Sequence, residues 1–201
     1  MKHILFISLL VLIAGMANSQ NFEGGALVGL TASQIDGDNY RGYNKVGLQG
    51  GGWVRHMFTY TLGGQMEIRY VQKGALKRNT VDDPAYSKTS LHYIDIPLMA
   101  QFFYNEDVIL ELGIGPEILL SAKQEDENGE LPIPYPKYKR FTVSAIAGVG
   151  YRFLEIFSVH FRFNYSILPI RPHPSGQSYL LNQGHYSNVF SIAVNYEIGN
   201  N

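Results

Sequence analysis

An all-β fold is predicted: an eight-stranded antiparallel transmembrane up-and-down β-barrel that follows an N-terminal signal peptide. Three observations predict it. Residues 157–167 read Phe-Ser-Val-His-Phe-Arg-Phe-Asn-Tyr-Ser-Ile, apolar at every odd position and polar at every even one. That two-residue period places the two sets on opposite faces of a strand. Connections between such stretches alternate between tight and long, as in outer-membrane barrels. Aromatic residues of the apolar face gather near strand ends, where two bilayer interfaces would lie.

The chain opens Met1-Lys-His, runs apolar over 4–13 and closes that run with Ala14-Gly15-Met16-Ala17-Asn18-Ser19. A basic start, an apolar stretch short of the ~20 residues that span a bilayer, and small residues at Ala17 and Ser19 describe a secretory signal peptide. Residues 1–19 are therefore expected to be removed and 20–201 to form one barrel domain. The absence of cysteine excludes a disulfide framework, thiolate metal chemistry and a lipid anchor on cysteine. A formal net charge of −1 points to no nucleic-acid partner. The chain holds 21 Gly, 14 Tyr and 11 Phe, yet its mean hydropathy is near neutral. A helical membrane protein would be far more apolar, whereas a membrane barrel alternates and averages out.

The strands follow in order. Residues 24–33 form a glycine-rich first strand with Ala26, Val28, Leu30 and Ala32 on one face; 35–43 carry the Gly, Asp and Asn of a turn. The second strand, about 45–56, sets Val46, Leu48 and Val54 on its apolar side, while Gly47, Gly51 and Gly52 leave room for neighbours or a bend. In the third, about 60–73, Tyr60, Leu62, Met66, Ile68 and Tyr70 oppose Gln65, Glu67, Arg69 and Lys73. A polar segment, 77–88, precedes a fourth strand over about 90–104. There Ile94, Ile96, Leu98, Ala100, Phe102 and Tyr104 oppose Tyr93, Asp95 and Gln101, and Pro97 predicts a bulge or bend.

Residues 105–107 are a tight turn. The fifth strand, 108–121, alternates Val108, Leu110, Leu112, Ile114, Ile118 and Leu120 against Glu111, Gly113, Gly115 and Glu117. The longest irregular segment is 122–139, with an acidic run at 125–130. The sixth strand, 141–153, sets Val143, Ala145, Ala147, Val149 and Tyr151 against Thr142, Ser144, Gly148, Gly150 and Arg152. A brief turn at Leu154-Glu155 leads into 157–167. After a long segment, 171–185, the last strand runs over 187–198 with Phe190, Ile192, Val194, Tyr196 and Ile198 facing away from Ser191, Ala193, Asn195 and Glu197.

Two environments suit such strands: lipid outside with a polar lumen, or solvent outside with an apolar core as in a lipocalin-like barrel. Turns near Met57, Asn105 and Leu154 are tight; those near Asp36, Val81, Glu127 and Pro174 are long. This alternation places both termini in the periplasm and the long loops outside the cell. Two aromatic girdles are expected, Tyr60, Tyr104, Tyr151, Phe153, Phe157 and Tyr196 at the short-turn end and Tyr70, Phe141 and Tyr165 at the other. An apolar core gives no reason for two belts. The polar face carries Glu67, Arg69, Asp95, Glu111, Glu117, Arg152, His160, Arg162 and Glu197 among small residues. A narrow lumen needs that mixture, because a buried unpaired charge is costly. Lipid outside is the reading adopted. Water in the lumen is expected to make loss of Arg162 milder than an arginine placed on the lipid face at Phe161.

The stretches Gly29-Leu-Thr-Ala-Ser-Gln-Ile-Asp-Gly-Asp38, Gly42-Tyr-Asn-Lys-Val-Gly-Leu48, Glu67-Ile-Arg-Tyr-Val-Gln-Lys-Gly74 and Tyr93-Ile-Asp-Ile-Pro-Leu98 together resemble the PorT-like outer-membrane β-barrel proteins of Bacteroidetes. The likeness covers essentially the whole mature chain, and Tyr93-Ile-Asp-Ile-Pro-Leu98 is its most specific part. It implies an eight-stranded outer-membrane barrel and, through one namesake relative, a link to protease secretion. The ending Tyr196-Glu-Ile198-Gly-Asn-Asn201 departs from the aromatic terminus common among such barrels, so recognition by the outer-membrane assembly machinery is expected either to rest on Tyr196 or to be less orthodox.

Other motifs carry less. Gly50-Gly-Gly52 and Gly113-Ile-Gly115 open no helix of a βαβ unit and read as packing glycines, not a phosphate cradle. Asn164-Tyr-Ser166 matches a glycosylation sequon inside a strand and is discounted. Asp36 and Asp38 lack the spacing and distal Glu of a calcium loop. The acidic run 125–130 reads as a solvated loop, with a cation or partner site as the sharper reading. No nucleophile, base and orienting group can be placed together from the sequence. The expectation is a non-enzymatic, cofactor-free barrel that displays loops to a surface or secretion partner. A narrow solute channel and a lipid-acting enzyme are the other classes.

Overall fold

The computed structural model describes residues 22–38, 42–79, 85–132, 136–173 and 184–198. The signal-peptide expectation for 1–19 lies outside them, as do 80–84 and 174–183 of two long connections. The strands are β1 (Phe22–Asp36), β2 (Lys45–Met57), β3 (Leu62–Lys77), β4 (Ser87–Asp95), β5 (Leu98–Phe103), β6 (Val108–Asp126), β7 (Gly129–Leu131), β8 (Phe141–Leu154), β9 (Phe157–Ser166), β10 (Arg171–Pro172) and β11 (Gly184–Ile198). All pairings are antiparallel, and each long strand pairs with its sequence neighbours. The last strand returns to the first over a ladder from Gly24–Ile198 to Asp36–Tyr186. β4 and β5 are one stave interrupted at Ile96-Pro97, since both lie between β3 and β6. The result is a closed eight-stave barrel without an open edge, which satisfies the backbone groups that hydrocarbon cannot.

Sidedness is inverted relative to a soluble protein. Val28 and Leu112 are 66% and 69% exposed, while Arg69 and Glu67 are 1% exposed. Every alternating strand puts its apolar set outside, including Phe161, Phe190 and Ile192. Only a hydrocarbon surrounding makes that arrangement favourable over the whole circumference.

The strands run further than their sequence boundaries suggested. Ile35 and Asp36 belong to β1 and not to the following turn. Ile35 is pinned inside by the ladder to β11 and is buried. β3 begins at Leu62, leaving Tyr60 fully exposed in a turn closed by Phe58 and Thr59 amides donating to the Leu62 carbonyl. β3 and β4 extend into the expected polar segment, pairing Lys77 with Ser87. β6 continues to Asp126 and folds back as a hairpin with β7, its turn set by Gly129 at φ +117°. The Asp126 carboxylate accepts from the Asn128 amide there. Polarity was a poor guide because these extensions leave the bilayer and need no apolar face.

Large interior side chains fit because the facing strands supply glycine. A Cβ on Gly51 would stand 2.1 Å from the Ile68 carbonyl oxygen and 2.8 Å from Arg69 Cβ. On the adjacent Gly52, which faces outward, it would meet only the Gly25 oxygen at 3.5 Å. Gly51→Ala is therefore expected to destabilise the barrel by about 1–3 kcal/mol and Gly52→Ala to cost less. Urea unfolding of both variants in lipid vesicles checks this; equal losses would contradict the assignment of the two faces.

Candidate functional site in the barrel interior

Alternation on β3, β5, β6 and β9 aims Gln65, Glu67, Arg69, Gln101, Glu111, His160 and Arg162 at one volume. Arg162 sits at its centre. Its Nε and Nη2 donate to the two Glu111 oxygens at 2.6 and 3.0 Å, and Nη1 reaches Glu67 at 2.9 Å. Gln65 donates to Glu67 at 2.7 Å and Gln101 to Glu111 at 2.8 Å. Arg69 lies 3.5 Å from Glu67 and 3.6 Å from Asp95. In the orientation that satisfies its neighbours, the Asn164 amide oxygen accepts from Arg69 Nη2 at 3.2 Å. Gly148 clears space for the Arg162 stem and Gly150 for the His160 ring.

Towards the long-loop end, Lys73 bonds Glu117 at 2.7 Å and stands over the Tyr93 ring at 4.3 Å. Beyond it an apolar cluster, Ile35, Ala75, Leu91, Tyr93 and Ile170, fills the barrel. Ile170 is held there by amide and carbonyl bonds to His185 and Lys139.

Besides Glu117, two residues of the expected network lie away from Arg162. Glu197 pairs with Arg55 at 2.9 Å near the short-turn mouth, where Arg55 also holds Glu23 and packs on Trp53 and Phe103. Arg152 lines an open recess of about 480 Å³ at that mouth with Arg55, Glu23 and Glu106, and forms no ion pair among the described residues. Strand parity gave both their inward direction; distance along the strand separates them from Arg162. Lys73, read on the polar face of the third strand, and Arg55 are the partners missing from the expected network, and the same parity marks both.

On the outer face, Phe157 packs on Phe153 and Tyr196, while Tyr151 and Tyr104 are exposed at the same end. Phe22 and Phe58, which bracket His56, join this end unanticipated. At the other end Tyr70 stacks on His92, Tyr165 on Tyr186, and Phe141 is exposed.

One set has the look of a catalytic relay. Ser158 Oγ lies 2.9 Å from His160 Nε2, and His160 Nδ1 lies 3.1 Å from Glu111. The same carboxylate is also gripped by the Arg162 fork, and His160 is 1% exposed. Among the described residues no group of three or more His, Asp or Glu is placed to hold a metal ion. In the acidic hairpin, Lys88 bonds Glu125 at 2.8 Å and Lys123 stands 3.5 Å from Glu130. The Lys88 hydrogen bond and charge hold the Glu125 carboxyl below its ordinary pKa.

Residues 17–171 match the model of the outer membrane protein beta-barrel domain family. The chain belongs to that family. It is accordingly an integral outer-membrane protein, and its outward apolar face meets outer-membrane lipid. The crystal structure of Ail, the attachment invasion locus protein of Yersinia pestis, is similar at a TM-score of 0.51 and 17% identity. The match covers 88% of this chain and 98% of that one. Ail in complex with the heparin analogue sucrose octasulfate matches equally, at 0.51 and 17%, over 88% and 99% of the two chains. Neisserial surface protein A matches at 0.46 and 9% identity over 88% and 96%. No curated protein matches the chain. At these identities the likeness establishes the barrel fold alone.

Proposed function

We propose that the chain is a closed, non-enzymatic outer-membrane scaffold that presents its long connections at the cell surface to a partner. Both termini lie in the periplasm. The carrying observation is the interior: the Arg162–Glu111–Glu67 centre and the apolar cluster around Leu91 and Ile170 fill the barrel at two levels. A solute path would have to displace both. The long-loop end, where the β6–β7 hairpin projects, is the part left for contact with a partner. Ail has been crystallised with the heparin analogue sucrose octasulfate, which supports ligand binding as a use of this fold. The PorT-like stretches favour a partner in secretion or envelope integrity.

Planar-bilayer recording of the purified barrel is expected to show no steady single-channel conductance; discrete reproducible openings would support the narrow-channel alternative instead. Protease added to intact cells should cut within 122–139 or 171–185 and spare the Asn105 turn. Cleavage at the Asn105 turn alone would invert the topology.

A further inference from the structure

The short-turn mouth of the barrel carries a second feature, the recess of about 480 Å³ that Arg152 lines. Two turns wall it. In the β2–β3 turn the Thr59 hydroxyl accepts from the Leu62 amide at 3.0 Å, and the Phe58 and Thr59 amides donate to the Leu62 carbonyl. In the β5–β6 turn the Asn105 side-chain oxygen accepts from the Asp107 and Val108 amides at 3.0 and 2.7 Å. The Arg152 amide donates to the Asp107 carbonyl at 2.7 Å, tying the end of β8 to that second turn. Both walls are fixed by their own hydrogen bonds, so a ligand does not have to order them.

Arg55, which also lines the recess, is already matched: it holds Glu23 and Glu197 and packs on Phe103. Two other charges facing the same space are not. Among the described residues, Arg152 and Glu106 make no side-chain ion pair or hydrogen bond, with each other or with any neighbour. Tyr60 and Tyr104 line the recess as well, and both are exposed. The space thus offers one open guanidinium, one open carboxylate and two aromatic rings. A simple anion is disfavoured there, because Arg55 is shared by two carboxylates and Glu106 adds another negative charge. An ammonium held by Glu106 against a tyrosine ring removes that repulsion. The planar fork of Arg152 is then left for a carboxylate.

We propose that this recess binds a short peptide segment bearing both an ammonium and a carboxylate. Arg152 takes the carboxylate, and Glu106 with the Tyr60 and Tyr104 rings takes the ammonium. A volume of about 480 Å³ lies in the range of small-ligand sites and suits a few residues of extended peptide. The inference rests on the proposed orientation only for the compartment that supplies the peptide, the periplasm.

The test uses the folded mature chain in detergent, where orientation plays no part, with saturation-transfer NMR reading peptide binding. The probe is an N-acetylated, C-amidated tripeptide of lysine, glycine and glutamate, so that its two side chains carry its only charges. It should bind about fivefold tighter than the analogues in which glutamine replaces either charged residue. R152Q should lose the preference for glutamate over glutamine and keep that for lysine; E106Q should do the reverse. K123Q at the opposite mouth should keep both. Should R152Q fail to fold, as read by heat-modifiable gel migration, E106Q must still lose the lysine preference alone. Equal binding of the three peptides by the parent chain, or no saturable binding, would overturn the proposal. So would a folded R152Q or E106Q that keeps both preferences, or a K123Q that loses them, which would mark a general charge effect. None of these outcomes bears on surface display, which the protease experiment tests separately.

Discussion

Arg162→Ala is expected to destabilise the barrel by about 3–5 kcal/mol, the range for breaking a buried ion pair from one side. The substitution strips Glu111 of two donors and Glu67 of one. His160 and Gln101 still reach Glu111, and Arg69 and Gln65 still reach Glu67. Those contacts moderate the loss but leave two carboxylates sharing too little positive charge. From sequence, water in the lumen was expected to soften this effect. The structure removes that expectation, because Arg162, Glu67 and Glu111 are 3%, 1% and 4% exposed. Arg162→Met should be as damaging as Arg162→Ala, whereas Arg162→Met with Glu111→Gln should recover part of the loss. Urea unfolding in lipid vesicles reads all three; a nearly silent Arg162→Ala would contradict a dry, paired interior.

Phe161→Arg is expected to cost roughly 2–4 kcal/mol, as for a guanidinium near the bilayer midplane. Phe161 lies mid-strand on β9, between Val149 and Ile192 on its neighbours, and is half exposed. The same substitution at Tyr60, fully exposed in the β2–β3 turn, should change stability little. The comparison separates depth in lipid from mere loss of an aromatic ring. Equal small effects at both sites, measured by the same unfolding experiment, would mean that Phe161 does not face lipid.

Much of this was legible in the residues. The inward and outward sets of β3, β5, β8, β9 and β11 follow from period-two alternation, because one face meets lipid and the other a packed polar interior. Three things were not legible. Arg162 choosing Glu111 and Glu67 over Glu117 depends on register between strands far apart in sequence, which alternation does not encode. The apolar closure at the long-loop end combines Ile35, which read as turn, and Ile170, which lies past the strand ending at 167, with Leu91 from the start of the fourth strand. The bulge at Leu120, where His92 pairs with Ser121 and Tyr93 with Leu119, has no signal of its own: the residue is apolar and continues the pattern, yet every position after it changes face.

The chain's one tryptophan tests the barrel's sidedness most directly. Trp53 points inward on β2, is 4% exposed and packs under Arg55. In vesicles of brominated lipid, Trp53 emission should be quenched weakly, while a W53F/F161W chain should be quenched strongly. Stronger quenching of Trp53 than of a tryptophan at position 161 would place the polar face in lipid and contradict the closed ionic interior.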